Sequence, residues 1–124
     1  MLYKQDVYNN LKQIKMAINY NWVISQLECK AQEGDLTDVV FTIHYRYQAN
    51  ETDGDKSYFA EVYGTVSCPN PDPEHFTAYA DLTQAQVEGW LTNLLDVSAM
   101  QTNLATQIAD QKNPPIVTPP LPWN

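Results

Sequence analysis

A ten-residue run of strict alternation, residues 39–48, constrains the fold of this chain more than any other feature. β-branched and aromatic side chains fill one row, and mostly polar side chains fill the other. A period of two predicts a β-strand with one face buried and one face open to water or to a partner. The predicted inner row is Val39, Phe41, Ile43, Tyr45 and Tyr47, and the outer row is Val40, Thr42, His44, Arg46 and Gln48.

Two further segments extend this strand into a small antiparallel sheet. Residues 20–29 alternate less cleanly, and residues 58–68 alternate with aromatic side chains on both faces. Polar stretches at residues 31–35 and 49–56 separate the three runs. Asp53-Gly54 is a strong hairpin signal. Gly64, inside the third run, indicates a bulge or a close backbone approach. Prolines at 69, 71 and 73 then end strand pairing.

Two helices are predicted to follow the sheet. Thr83 and Gln86 fit a reciprocal capping box, so the first helix starts after Thr83 and runs to about Leu95. The second helix spans about residues 98–112 and carries Met100, Leu104 and Ile108. The apolar stripe of the first helix is expected to cover the Phe41, Ile43 and Tyr45 face of the sheet; it consists of Val87, Trp90, Leu91 and Leu94.

These elements predict an α+β fold, in which about three antiparallel strands are covered on one face by two C-terminal helices. At 124 residues the chain is expected to form one domain, residues 20–112, between two arms. Residues 1–19 are predicted to be an amphipathic helical arm that packs on its own domain or docks on a neighbouring subunit. Met16 is an alternative start. The apolar positions of this arm include Leu11, Ile14 and Ile18.

Residues 113–124 form the second predicted arm. Five prolines in twelve residues exclude a helix and favour an extended polyproline II conformation. A stiff backbone lowers the entropy lost on docking. The arm is expected to lie in a groove of its own domain or of a partner, through Ile116, Val117, Leu121 and Trp123.

Catalytic and metal-binding patterns are weak in this sequence. The two histidines, His44 and His75, do not neighbour a nucleophile in a recognisable motif. Cys29 and Cys68 lack metal-ligand spacing, although they can form a disulfide if their strands lie side by side. Acidic residues around Gly54 fail the calcium-loop pattern at both ends. We therefore expect no enzyme activity, no metal and no cofactor.

Charge and aromatic content favour protein contact over other kinds of recognition. The formal net charge of −8 opposes binding to nucleic acid and to anionic membranes. No signal peptide or membrane-spanning segment is expected. Tyrosine is the commonest aromatic residue, and tyrosines anchor many protein interfaces. The tyrosines predicted to cluster around the sheet are Tyr45, Tyr47, Tyr58, Tyr63 and Tyr79.

Several stretches together resemble a small family of uncharacterised tailed-bacteriophage proteins. They are residues 22–29, 37–41, 62–65, 79–83, 86–87 and 89–90, and the terminal Pro119-Pro120-Leu121-Pro122-Trp123. Residues 1–19 lie outside the resemblance. The resemblance implies a viral origin and a virion component, and it supplies no catalytic residue.

We therefore expect a virion structural or accessory protein, such as a capsid decoration or a tail or neck accessory. It is expected to be present in many copies, to form homo-oligomers and to contact other phage structural proteins. The alternative is a non-virion binding module that holds a host or phage protein through a tyrosine-rich sheet face.

Overall fold

A computed structural model describes residues 18–123 of the chain. Three antiparallel strands come first and are ordered β1-β2-β3 in one sheet. Two helices follow, after two short 3-10 turns at Pro73–His75 and Tyr79–Asp81. The predicted α+β fold is confirmed. The elements are β1 (Ile18–Glu33), β2 (Leu36–Asp53), β3 (Lys56–Ser67), α1 (Gln84–Leu94) and α2 (Val97–Lys112).

The N-terminal arm predicted over residues 1–19 lies almost wholly outside the described residues. Leu11 and Ile14 are among the positions about which the structure says nothing. Ile18 and Asn19 begin β1, so the prediction that the helical arm reaches residue 19 is wrong at its last two positions. Ile18 packs against the buried cluster of its own domain instead of extending a helix.

Two-residue turns close both hairpins, and a glycine opens each of them. Gly34 has φ +58° and Gly54 has φ +65°, the left-handed conformation that glycine adopts without a steric penalty. These turns are shorter than the polar stretches that suggested them. Residues 31–33 and 49–53, predicted as turn and linker, instead pair in the sheet, because a tight hairpin needs only two connecting residues.

A β-bulge in the middle of the sheet changes which side chains are buried. Glu28 pairs with Thr42 and Cys29 pairs with Val40, so Phe41 has no opposing residue on β1. The extra residue shifts the alternation by one position. Phe41 is 44% exposed, while Val40 is buried beside Ile43. The prediction that Phe41 packs beneath the first helix is therefore wrong.

The helices cover different ends of the same sheet face. From α1, Val87 and Leu91 pack with Val40 and Ile43. From α2, buried side chains cover the end of the sheet that is closer to the second hairpin turn. That second cluster consists of Leu104, Ile108, Tyr47, Ala49 and Ala60.

One of the two hydrogen bonds of the predicted capping box forms at the start of α1. Thr83 Oγ1 accepts a hydrogen bond from the Gln86 backbone N–H, at 3.2 Å, as predicted. The reciprocal half is wrong, because the Gln86 side chain donates to Thr77 Oγ1 at 3.0 Å. This bond ties the helix to the connection that follows β3. At α2, Asp96 takes the N-cap role and accepts from the Ala99 N–H.

Candidate protein-contact site

The C-terminal arm leaves the domain from an anchored helix end. Lys112, the last residue of α2, forms an ion pair with Glu51 on β2. Glu51 is only 2% exposed, and the Lys112 ammonium group contacts its Oε2, so this ion pair is the main compensation for the burial of the carboxylate. Gln111 Nε2 also donates to the Phe59 carbonyl oxygen, at 2.6 Å. These contacts fix the point from which the arm departs.

The arm itself presents its apolar side chains to solvent. Residues 114–123 belong to neither a helix nor a strand, and every one of them is exposed. Ile116 is 87% exposed and Trp123 is 79% exposed, and Val117 and Leu121 are exposed as well. Side chains this exposed are not packed in a groove of their own domain. Of the two docking alternatives, the described conformation leaves the arm open to a partner.

The tyrosines do not share one exposed face. Tyr45, Tyr47 and Tyr58 lie on the sheet face that the helices cover and pack with its buried clusters. Tyr47 is 4% exposed and its hydroxyl accepts from Gln101 Nε2 at 2.9 Å, so the prediction that Tyr47 contacts a partner is wrong. Tyr63 projects from the opposite face and is largely exposed.

At Gly64 the Tyr45 side chain closely approaches the β3 backbone, and a close backbone approach was one of the two meanings that the position of this glycine suggested. It pairs with Tyr45 across the sheet. A Cβ at Gly64 would lie 3.0 Å from the Tyr45 hydroxyl oxygen, which is tighter than ordinary contacts. The absence of a side chain at Gly64 therefore makes room for the Tyr45 ring, which is half-buried.

The open face of the sheet is mostly polar. Side-chain amides from neighbouring strands hydrogen-bond in a row: Asn50 donates to Asn21, Asn21 to Gln48, and Gln48 to Glu61. Exposed aromatic rings interrupt this polar surface. They are Phe41, Phe59 and Tyr63.

A groove lies between α1 and the connection that follows β3, and we call it the α1 groove. Its volume is about 350 Å³. The walls are mainly apolar and include Trp90, Phe76, Leu94, Pro69 and Pro71, and further lining residues are Asp38, Cys68, Asp72, His75 and Asn93. Sequence reasoning missed this groove because its walls come from segments that are separated along the chain.

The α1 groove is lined by a cysteine, a histidine and an aspartate, which are residue types associated with nucleophilic catalysis. They are Cys68, His75 and Asp72. His75 Nδ1 and Asp72 Oδ2 are 2.9 Å apart. This hydrogen bond, followed by one from the Glu74 backbone N–H, lowers the pKa of Asp72. Burial raises the pKa of the Cys68 thiol. A nucleophilic cysteine needs a lowered pKa, and the shift at Cys68 is in the opposite direction.

The sequence also singled out His44 and a possible disulfide between Cys29 and Cys68. His44 Nε2 lies 2.9 Å from Glu28 Oε1 on the open sheet face. Cys29 and Cys68 are both free thiols. The bridge between them that required adjacent strands does not form, because β2 separates β1 from the end of β3. Burial, followed by the charge of Asp38, raises the pKa of Cys29.

Within residues 18–123, no group of three or more His, Cys, Asp or Glu side chains is arranged to hold a metal ion. Among the helices of this part of the chain, none is long and apolar enough to cross a membrane.

The fold and its surfaces define an α+β domain with a three-stranded meander, two covering helices and a proline-rich arm that belongs to neither a helix nor a strand. The sequence model of one family, described as a domain of unknown function (DUF7936), matches residues 17–123, and the chain belongs to this family. The match extends through Trp123, so the arm is part of the family's domain. No curated protein and no solved structure matches the chain.

Proposed function

We propose that this protein is a structural or accessory component of a tailed-phage virion that works by protein contact through its C-terminal arm. The observation that carries the proposal is the exposure of four large apolar side chains on one segment whose start is anchored to the domain. Solvent exposure of such side chains is unfavourable, by about 25 cal/mol for each Å². An interface that covers them recovers this free energy.

The stiffness of the arm adds to the proposal. Five prolines restrict the backbone before it binds, so docking loses less conformational entropy than it would for a flexible tail. The ion pair between Lys112 and Glu51 fixes the origin of the arm at the end of α2. An arm with few backbone conformations and a fixed starting point meets each neighbouring protein in the same position. Contacts that repeat throughout an assembly require this.

The phage assignment rests on the resemblance of residues 22–123 to small tailed-phage proteins. Under this proposal the chain is a multi-copy virion component, its partners are other virion proteins or further copies, and it acts without catalysis. The alternative is a binding module that uses a tyrosine-rich sheet face. It has less support, since three of the sheet tyrosines pack beneath the helices.

Particle incorporation tests the proposal. A phage that encodes Leu121→Ser with Trp123→Ser is compared with one that encodes Phe59→Ser with Tyr63→Ser on the open sheet face. Both pairs remove exposed hydrophobic surface, so they match in chemistry and differ in location. We expect mass spectrometry of purified particles to detect the sheet-face variant and to lack the arm variant. Normal incorporation of the arm variant, or absence of the unmodified protein from particles, would overturn the proposal.

A further inference from the structure

The chain carries both an exposed, proline-rich apolar arm and an apolar groove lined by aromatic rings. Proline-rich segments in the polyproline II conformation bind grooves that are lined by aromatic rings. The arm contains Pro119-Pro120-Leu121-Pro122, in which two prolines are separated by two residues. The α1 groove presents the rings of Trp90 and Phe76. Its volume of about 350 Å³ lies in the range of small binding sites.

We propose that the α1 groove of one copy binds the C-terminal arm of a second copy, with Leu121 and Trp123 entering the groove. This inference rests on the proposed function and names the receptor of the arm. The described arm is exposed, so the groove of the same chain does not hold it. A second copy supplies both an arm and a groove in each association.

Charge is compatible with this pairing. Each chain has a formal net charge of −8, which opposes self-association through charged surfaces. Residues 113–123 contain no charged side chain, so the arm enters a neighbouring copy without bringing two like charges together. Asp38 lines the groove in the left-handed conformation, with φ 51°, and its carboxylate can accept a hydrogen bond from the Trp123 indole N–H.

The available area suits a reciprocal exchange of arms. The four apolar side chains of one arm offer on the order of 400 Å² of exposed surface, by the usual areas of such side chains. Two arms therefore offer about 800 Å² before the groove surfaces that they cover are added, against about 1,600 Å² for a standard stable interface. One arm alone offers half as much, so the proposal is a closed pair.

Sedimentation velocity of full-length chains across a wide concentration range tests the pairing. The arm variant carries Leu121→Ser and Trp123→Ser, and the groove variant carries Leu94→Glu at the groove wall. Thr92→Glu is the matched control, because Thr92 is exposed on α1 and lies outside the groove lining. We expect dimers for the unmodified chain and the control, and dissociation constants at least about 30-fold higher for the other two.

Mixing gives the decisive result. The arm variant retains a groove and the groove variant retains an arm, so each mixed pair forms one arm-to-groove contact, whereas either variant alone forms none. We expect the equimolar mixture to associate more weakly than the unmodified chain and more strongly than either variant alone. A monomeric unmodified chain, equal behaviour of Leu94→Glu and Thr92→Glu, or a mixture that associates no more strongly than the separate variants would overturn the inference.

Incorporation into particles separates this inference from the proposed function. If the arm variant is excluded while Leu94→Glu is incorporated normally, the arm contacts a different protein; the proposed function then stands and the pairing fails. Incorporation of the arm variant would instead remove the proposed function itself.

Discussion

Replacing Lys112 with methionine tests how the end of α2, and therefore the origin of the arm, is held. Methionine retains most of the apolar stem, but it removes the ammonium group, which faces Glu51 and lies 5.4 Å from the centre of the Tyr58 ring. The Glu51 carboxylate, 2% exposed, would then be buried without a counter-charge. Breaking a buried ion pair in this way costs about 3–5 kcal/mol. Because the Lys112 side chain is 26% exposed, water can reach the site, and we expect about 3 kcal/mol.

Urea unfolding followed by far-UV circular dichroism measures this loss. Small domains lose about 1–3 kcal/mol of stability for each molar of urea, so the midpoint should fall by about 1–3 M. Lys56→Met is the control on an exposed lysine, and it should change stability by less than about 0.5 kcal/mol. The double variant Glu51→Met with Lys112→Met should recover most of the loss, because no charge remains buried. A stable single variant, or a double variant as unstable as the single one, would refute this reasoning.

Three further predictions follow from the core and from the groove. Leu104→Ala should lower the free energy of unfolding by about 2–5 kcal/mol in the same urea assay, because Leu104 is fully buried. Cys68 should react with a thiol reagent at mildly alkaline pH more slowly than an unstructured cysteine, since its raised pKa reduces the thiolate fraction, and denaturant should abolish the difference. His75→Ala should raise the pKa of Asp72 toward its ordinary value in a carboxyl NMR titration. Because the pKa of Asp72 is lowered in the folded chain, the stabilisation of its turn is present above the ordinary pKa and is lost as the pH falls through the lowered one.

Features that depend on local sequence were predictable. Asp53-Gly54 marked the second hairpin, because a two-residue turn requires a residue that tolerates positive φ. Thr83 marked the start of α1 through its own hydroxyl oxygen. The helical pattern placed Leu104 and Ile108 on the buried side of α2. In each case the residues that determine the feature lie within a few positions of one another.

Features that depend on pairing between distant segments were not predictable. The bulge at Phe41 arises from the register of β1 against β2, which the alternation within β2 does not contain. Glu51 sits in a polar stretch that reads as a loop, and its burial depends on Lys112 at the far end of α2. The α1 groove brings Cys68 and His75 into one site with α1. Tertiary contacts, rather than local preference, decide these positions.

The most direct test of contact through the arm is photo-crosslinking in assembled particles. A photoreactive amino acid replaces Thr118, which is exposed in the middle of the arm, and a control places it at Thr102, exposed on α2. The account predicts that illumination joins the arm position to a neighbouring protein molecule in high yield and that the α2 position gives little product. Crosslinks from the arm position only to its own chain, or equal yields from both positions, would contradict it.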